Sequence, residues 1–198
     1  RPDSEILGHL ATYSQRANIL IELPKELTPL PDQDWVRASL DQFKPIKIGG
    51  FWVKPSWNED PIPPNLTVLN LDPGLAFGTG MHPTTQLCLE WLSANDLSGQ
   101  RAMDFGCGSG ILGVAAGCLG ANQVTGLDID PQALVATEQN ASLNDLVVET
   151  LLPDQTPSCT FDVVVANILA NPLIELANTL TDLTRPGGKI VIAGLLDE

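Results

Sequence analysis

Three glycines in a short polar run, "DFGCGSG", and an acid at the close of the next apolar run are the residues of this chain whose types and spacing suit ligand chemistry. Gly106, Gly108 and Gly110 let a backbone turn tightly and approach a bound molecule with no side chain in the way. Asp128, closing "QVTGLD", stands where an acid accepts both hydroxyls of a ribose and opposes a ribose phosphate. The ligand expected is an unphosphorylated nucleoside. Asp128 has a plainer alternative in helix capping, but Asp130 before Pro131 suits that duty better. Asp104, just ahead of the glycines, would face a pyrophosphate and suits a cation; its alternative is an inward acid bonding loop amides.

Two other stretches bear polar groups. In "ANILANP", Asn167 offers an amide that both donates and accepts, while Asn171 before Pro172 is the better candidate for capping the next turn. In "DPGLAFGTGMHPTT", Gly74, Gly78 and Gly80 precede His82, Pro83, Thr84 and Thr85. Proline suits a first helical turn, where the two threonine hydroxyls would meet the amino-acid part of a ligand. A lone histidine beside proline reads as a hydrogen-bonding fixture rather than a general base, and no catalytic residue is assigned.

The elements that must position these groups follow from periodicity. "RAMDF", "QVTGLDID", "LVVETLL", "FDVVVANIL" and "GKIVIAGLL" read as strands, and "SGILGVAAGCLG", "PQALVATEQNASLN" and "NPLIELANTLTDL" as helices. Strands alternating with helices predict a doubly wound α/β domain on a parallel sheet, its ligand beyond the carboxyl ends of the strands. Upstream, "HPTTQLCLEWLSAN" and "DQDWVRASLDQF" have helical stripes, and "GGFWV" and "LTVLNLD" read as strands joined by the proline-rich "KPSWNEDPIPPN".

Composition narrows the function classes. The net charge of −14 over 198 residues argues against a direct nucleic-acid binder and is compatible with a basic partner. With no secretory signal and no long apolar run, a cytoplasmic protein without membrane contact is expected. Cys88, Cys107, Cys118 and Cys159 form no C-x-x-C pair and, with two histidines in the chain, no metal site is expected; the thiols read as reduced. The chain opens on Arg and stops in "IVIAGLLDE", which reads as a fragment.

Two nucleoside cofactors compete. "GSGILG" matches the dinucleotide fingerprint, so an NAD-dependent oxidoreductase is one reading. The register of the loop and the acid at Asp104 favour S-adenosyl-L-methionine, which carries a sulfonium and no phosphate, and "DFGCGSG" resembles the first motif of Rossmann-like methyltransferases.

Taken together, "DWVRASLDQFKPIKIGGFWVKPSW", "LDPGLAFGTGMHPTTQLCLEWL", "DFGCGSGILGVAA", "GLDIDPQAL" and "VVVANILANPLIELA" resemble the bacterial ribosomal protein L11 methyltransferases, from about residue 32 onward. Met81 stands where that family usually has Thr. The resemblance implies transfer of methyl groups from S-adenosyl-L-methionine to lysine and N-terminal amines of ribosomal protein L11, by a monomer; a lysine methyltransferase of another protein is the alternative. It also implies cofactor contacts at Thr85, Gly106, Asp128 and Asn167, with Gly108 beside them in the loop. The implied organisation is the tail of a small N-terminal substrate-recognition domain over 1–30, a helical linker over 31–45, and a catalytic domain over 46–198 short of its last two strands.

Overall fold

The computed structural model describes residues 44–72 and 82–194, all within the compact unit Leu40–Glu198. The expected N-terminal tail, nearly all of the linker and its helix, and Pro73–Met81 of the glycine-rich stretch lie outside the described residues.

A small sheet comes first. β1 (Ile46–Ile48) and β2 (Phe51–Lys54) pair antiparallel across Gly49 and Gly50, and β3 (Thr67–Asn70) pairs parallel to β2. β2 and β3 answer the two expected strands; β1 is a short addition at the start of the expected catalytic domain, where the sequence reading named no strand. The turn is tied to the next helix by Gly50 N donating to Ser93 Oγ at 3.1 Å.

The main domain runs α1 (Pro83–Ser93), β4 (Arg101–Phe105), α2 (Ile111–Cys118), β5 (Gln123–Leu127), α3 (Pro131–Ser142), β6 (Glu149–Leu151), β7 (Phe161–Asn167), α4 (Ala170–Glu175), α5 (Ala177–Leu183) and β8 (Thr184–Ala193). Five parallel strands stand in the order β6-β5-β4-β7-β8, the doubly wound sheet expected. The chain adds β5 and β6 on one side of β4, then crosses back to β7 on the other. Strand order therefore reverses between β4 and β7, the point at whose carboxyl ends sheets of this kind bind their ligands.

Both faces are covered, which is why "VVV" in β7 is apolar without alternation. Val163 and Val165 join Ala102, Val114, Ala115, Cys88, Leu89 and Leu92 on the face under α1 and α2. Val164 and Ala166 join Met103, Phe105, Leu127, Leu173, Leu180 and Leu183 on the face under α4 and α5.

Two local features depart from the sequence reading. The expected helix over "NPLIELANTLTDL" breaks at Leu176 (φ −95°, ψ 5°) into α4 and α5. The last strand starts earlier than expected: Thr184 lies opposite Phe161, Arg185–Gly188 bulge outward, and regular pairing resumes with Lys189 opposite Val163.

Candidate functional site

The glycine loop continues the sheet's hydrogen bonding for two residues before it turns. Gly106 N and Cys107 N both donate to Leu127 O, at 2.7 and 3.0 Å, so the loop leaves β4 still clasped to β5. Gly106, Gly108 and Gly110 all take positive φ. At Gly106 (φ 75°) a Cβ would also strike the Cγ2 of Ile168, and at Gly110 (φ 78°) it would lie 2.9 Å from Thr137 Cα. Only glycine fits either place. Gly110 N donates to Cys107 O at 2.7 Å, closing the turn, and Gly110 then caps α2.

Two residues of α3 brace the loop from behind. Thr137 Oγ1 is 3.2 Å from both Gly108 O and Cys107 Sγ, and Asn140 Nδ2 donates to Ser109 O at 2.8 Å. Both are buried, and sequence reading missed them. The signal was present: Thr137, Asn140 and Asn144 follow helical spacing on the covered face of an amphipathic helix, where polar residues need partners.

Asp128 stands just past the end of β5, as expected, and it braces the loop as well as facing it. Oδ2 accepts from Gly108 N at 2.9 Å and Oδ1 from Asp130 N at 3.0 Å. A carboxylate has about four acceptor sites, so these two amides leave capacity for further donors. Asp130 caps α3 as the sequence suggested, accepting from Gln132 N at 2.9 Å with Pro131 in the first turn.

Asp104 takes the alternative weighed for it. It is 2 % exposed, and Oδ2 accepts from Gly113 N at 2.8 Å, an amide of α2 rather than of the loop. Burial pushes its carboxyl up to about 7, against the Gly113 bond, and the charge of Asp128 pushes the same way as burial. A side chain at Gly113 would crowd Asp104 Cβ at 3.2 Å, so the acid and the helix need this close approach. Burial first and Asp104 second raise the Cys88 and Cys107 thiols to about 11 and about 12, and all four cysteines are free thiols.

The two threonines are partnered within the protein. His82 caps α1: its Nδ1 lies 2.7 Å from Thr84 Oγ1 and 3.3 Å from Thr84 N, with Pro83 starting the helix. The fixture reading of His82 fits this geometry. Buried Thr85 accepts from Asn167 Nδ2 at 3.0 Å, joining the first turn of α1 to the end of β7. That bond turns the carbonyl oxygen of Asn167 to the other side of its amide. Asn171 does not cap α4; it lies inside the helix, and Leu169 occupies the cap position without a side-chain bond. Thr85, Gly106, Gly108, Asp128 and Asn167 thus all lie on or beside the carboxyl rim.

The rim has a one-sided charge. Asp128, Asp130 and, after β6, Asp154 lie on it, whereas no described lysine or arginine does. Arg101 opens β4; Arg185, paired with Asp162, and Lys189, bonded to Asn95, belong to the opposite edge, and Lys44, Lys47 and Lys54 to the small sheet and its approach. Exposed apolar side chains interrupt the acids: Ile129 beside Asp128 is 82 % exposed, and Leu169 and Ile174 after β7 are 76 % and 73 % exposed. No described helix is long and apolar enough to cross a membrane.

A family model described as Ribosomal protein L11 methyltransferase (PrmA) matches residues 3–198. Proteins named Ribosomal protein L11 methyltransferase from Burkholderia thailandensis and Ralstonia pickettii are 54 % and 51 % identical over 179 and 205 residues, covering 89 % and 98 % of this chain. The chain spans 59 % and 68 % of their lengths. The crystal structure of a ribosomal protein L11 methylase from Lactobacillus delbrueckii subsp. bulgaricus superposes with a TM-score of 0.67 at 34 % identity, over 77 % of this chain and 80 % of that one. A T. thermophilus 16S rRNA methyltransferase in complex with AdoMet and guanosine shares the fold (TM-score 0.50, 24 % identity, 59 % of this chain, 36 % of that one).

Proposed function

We propose a function on one premise: the chain belongs to the ribosomal protein L11 methyltransferase family. The protein it comes from is an S-adenosyl-L-methionine-dependent N-methyltransferase that acts, in the cytoplasm, on lysine and N-terminal amines of ribosomal protein L11. Residues 46–198 supply cofactor binding. The observation that carries this reading is the junction of Asp128 with the glycine loop at the strand-order reversal, on a rim with acids and no described cation.

The residues present fit this cofactor. Asp128, held by two backbone amides, keeps acceptor capacity for the hydroxyls of a ribose, and Gly106 and Gly108 keep side chains off the loop. A rim with no described lysine or arginine offers a dinucleotide pyrophosphate no counter-charge among the described residues, although "GSGILG" matches the fingerprint. It is compatible with a cation. When bound, S-adenosyl-L-methionine supplies an activated methyl group on a sulfonium.

The chain's own groups then have to hold and orient an amine. At pH 7 a lysine amine of ordinary pKa ~10.4 must lose its proton at a cost of roughly 4 to 5 kcal/mol before it is nucleophilic. Asn167, fixed through Thr85, presents an amide oxygen that accepts from such a neutral amine. Alignment and exclusion of water do the rest, and no general base is assigned.

Calorimetric titration with S-adenosyl-L-methionine and NAD side by side tests the cofactor, with binding expected for the first alone. Mass spectrometry of ribosomal protein L11 after incubation with the full-length enzyme tests the acceptor, with several added methyl groups expected on lysines and the N-terminal amine. Tighter binding of NAD, or an unmodified L11, sinks the corresponding half of the reading.

A further inference from the structure

We infer that Asn140 is a positioning residue for the cofactor: its single side-chain amide sets the spacing between the glycine loop and the segment that leads from Asp72 to Thr85. The inference rests on the cofactor reading proposed above and adds a residue which that reading does not include.

Asn140 lies on the covered face of α3, buried, and its two amide atoms go to different parts of the chain. Nδ2 donates to Ser109 O in the glycine loop at 2.8 Å, and Oδ1 accepts from Asp72 N at 3.1 Å. Ser109 offers a carbonyl and Asp72 an N–H, so only one orientation of the amide satisfies both. The chain around Asp72 is held from two further sides. Asn144, one turn along α3, closes the outer edge of β3: its Oδ1 accepts from Asn70 N and its Nδ2 donates to Asn70 O, both at 2.8 Å. Ser56 N and Oγ donate to the two carboxylate oxygens of Asp72, each at 2.7 Å.

Asn140 therefore joins two stretches assigned to different ends of the proposed cofactor. Gly108, next to Ser109, is held by Asp128, the acid assigned to the ribose. Residues 73–81 lead from Asp72 to His82 and the first turn of α1, where Thr85 is expected at the amino-acid part. Thr137 differs, because its hydroxyl lies 3.2 Å from Gly108 O and from Cys107 Sγ, both in the loop. A ligand that spans both ends binds at full strength only when their spacing suits it, whereas one confined to the ribose end is indifferent to that spacing.

The test is calorimetric titration of the 198-residue chain with two probes at several pH values from about 5 to about 8. S-adenosyl-L-homocysteine has both ends, and 5′-methylthioadenosine lacks the amino-acid part. Asn140→Asp keeps the acceptor for Asp72 N, but at pH about 8 it turns an ionised oxygen on Ser109 O. It then weakens S-adenosyl-L-homocysteine at least about tenfold and 5′-methylthioadenosine by no more than about threefold. Burial raises such a carboxyl, and its protonated form donates where the amide did, so the larger loss shrinks to about threefold at pH about 5. Asn140→Ala brings no charge and shows the loss of about tenfold at every pH. Dividing by the parent's values removes the contributions of Asp72, Asp104 and Asp128, which all the proteins share. Thr137→Val weakens the two probes by equal factors. Affinities are read on folded protein, so an Asn140 that only stabilises the fold leaves them unchanged; where Asn140→Ala unfolds, Asn140→Asp at acid pH still carries the comparison. Equal factors for the two probes in the Asn140 variants, or a loss in Asn140→Asp that is constant with pH, overturns the positioning role. A parent that binds neither probe overturns the cofactor reading and this inference with it, whereas parent binding with unaffected Asn140 variants overturns the inference alone.

Discussion

Asp104→Asn should change how stability depends on pH, more than it changes stability at any one pH. The folded carboxyl is raised from 3.8 to about 7, chiefly by burial, whereas an unfolded aspartate keeps its ordinary value. Between those two values the folded state binds the extra proton, so stability is greatest at the acidic end and falls as pH rises toward about 7. Above about 7 the carboxyl is ionised in both states and the loss levels off. A shift of about 3 units at 1.36 kcal/mol each makes the full fall about 4 kcal/mol. An asparagine oxygen can accept the same Gly113 amide and has no proton to lose. Asp162 is held below its usual range, chiefly by the Arg101 backbone amide, and then by the Arg185 side chain. It adds an acid-side slope of opposite sign that both proteins share. Urea unfolding of both proteins at several pH values from about 5 to about 8 isolates the Asp104 contribution as a difference curve. The parent should lose stability relative to the variant across that window. A difference curve flat to within about 1 kcal/mol would refute the argument from burial.

Asp128→Ala should weaken S-adenosyl-L-methionine by about 1.5 to 3 kcal/mol in calorimetry and, because two backbone amides lose their acceptor, should also lower the melting temperature. Gly106→Ala should cost about 2 kcal/mol or more in chemical unfolding, since positive φ and the Ile168 clash combine, whereas Gly99→Ala, with positive φ and open space around it, should cost about 1 kcal/mol. Thr85→Val removes the acceptor for Asn167 Nδ2 and should lower methylation of L11 by the full-length enzyme at least about tenfold, and it should also weaken cofactor binding, since Thr85 is itself an expected cofactor contact. An unchanged rate would separate Asn167 from amine orientation.

The sheet and its reversal point were readable because the relevant signals are local. β7 is an apolar run covered on both faces, β8 is one covered on a single face with Ile190 and Ile192 exposed on the other, against the expectation from its unbroken apolar run, and glycine, proline and aspartate punctuate the turns at Gly106–Gly110 and Asp130–Pro131. The orientation of acids was less readable. Nothing in the sequence near Asp104 distinguishes an acid facing a ligand from one turned under α2, because the deciding partner, Gly113, becomes adjacent only once the helix packs. The bond between Thr85 and Asn167 joins segments far apart in the chain, as does the bracing of the loop by Thr137 and Asn140, and periodicity carries no information about such pairings. The break at Leu176 came without a glycine or proline to announce it.

The strand order has a consequence for how the protein is made. β4, the earliest of the five strands to emerge from a ribosome, is also the middle one, and β5 and β6 each join an edge already present. Residues 101–151 can accordingly assemble a half-sheet with α2 and α3 while the rest is still being synthesised. β7 must then find the opposite edge of β4, kept open in the meantime, and β8 follows on β7. Growth outward from a founding strand means that none of these five strands has to be inserted between two that are already paired. The glycine loop and Asp128, both within the founding half, can meet before Asn167 has left the translating machinery.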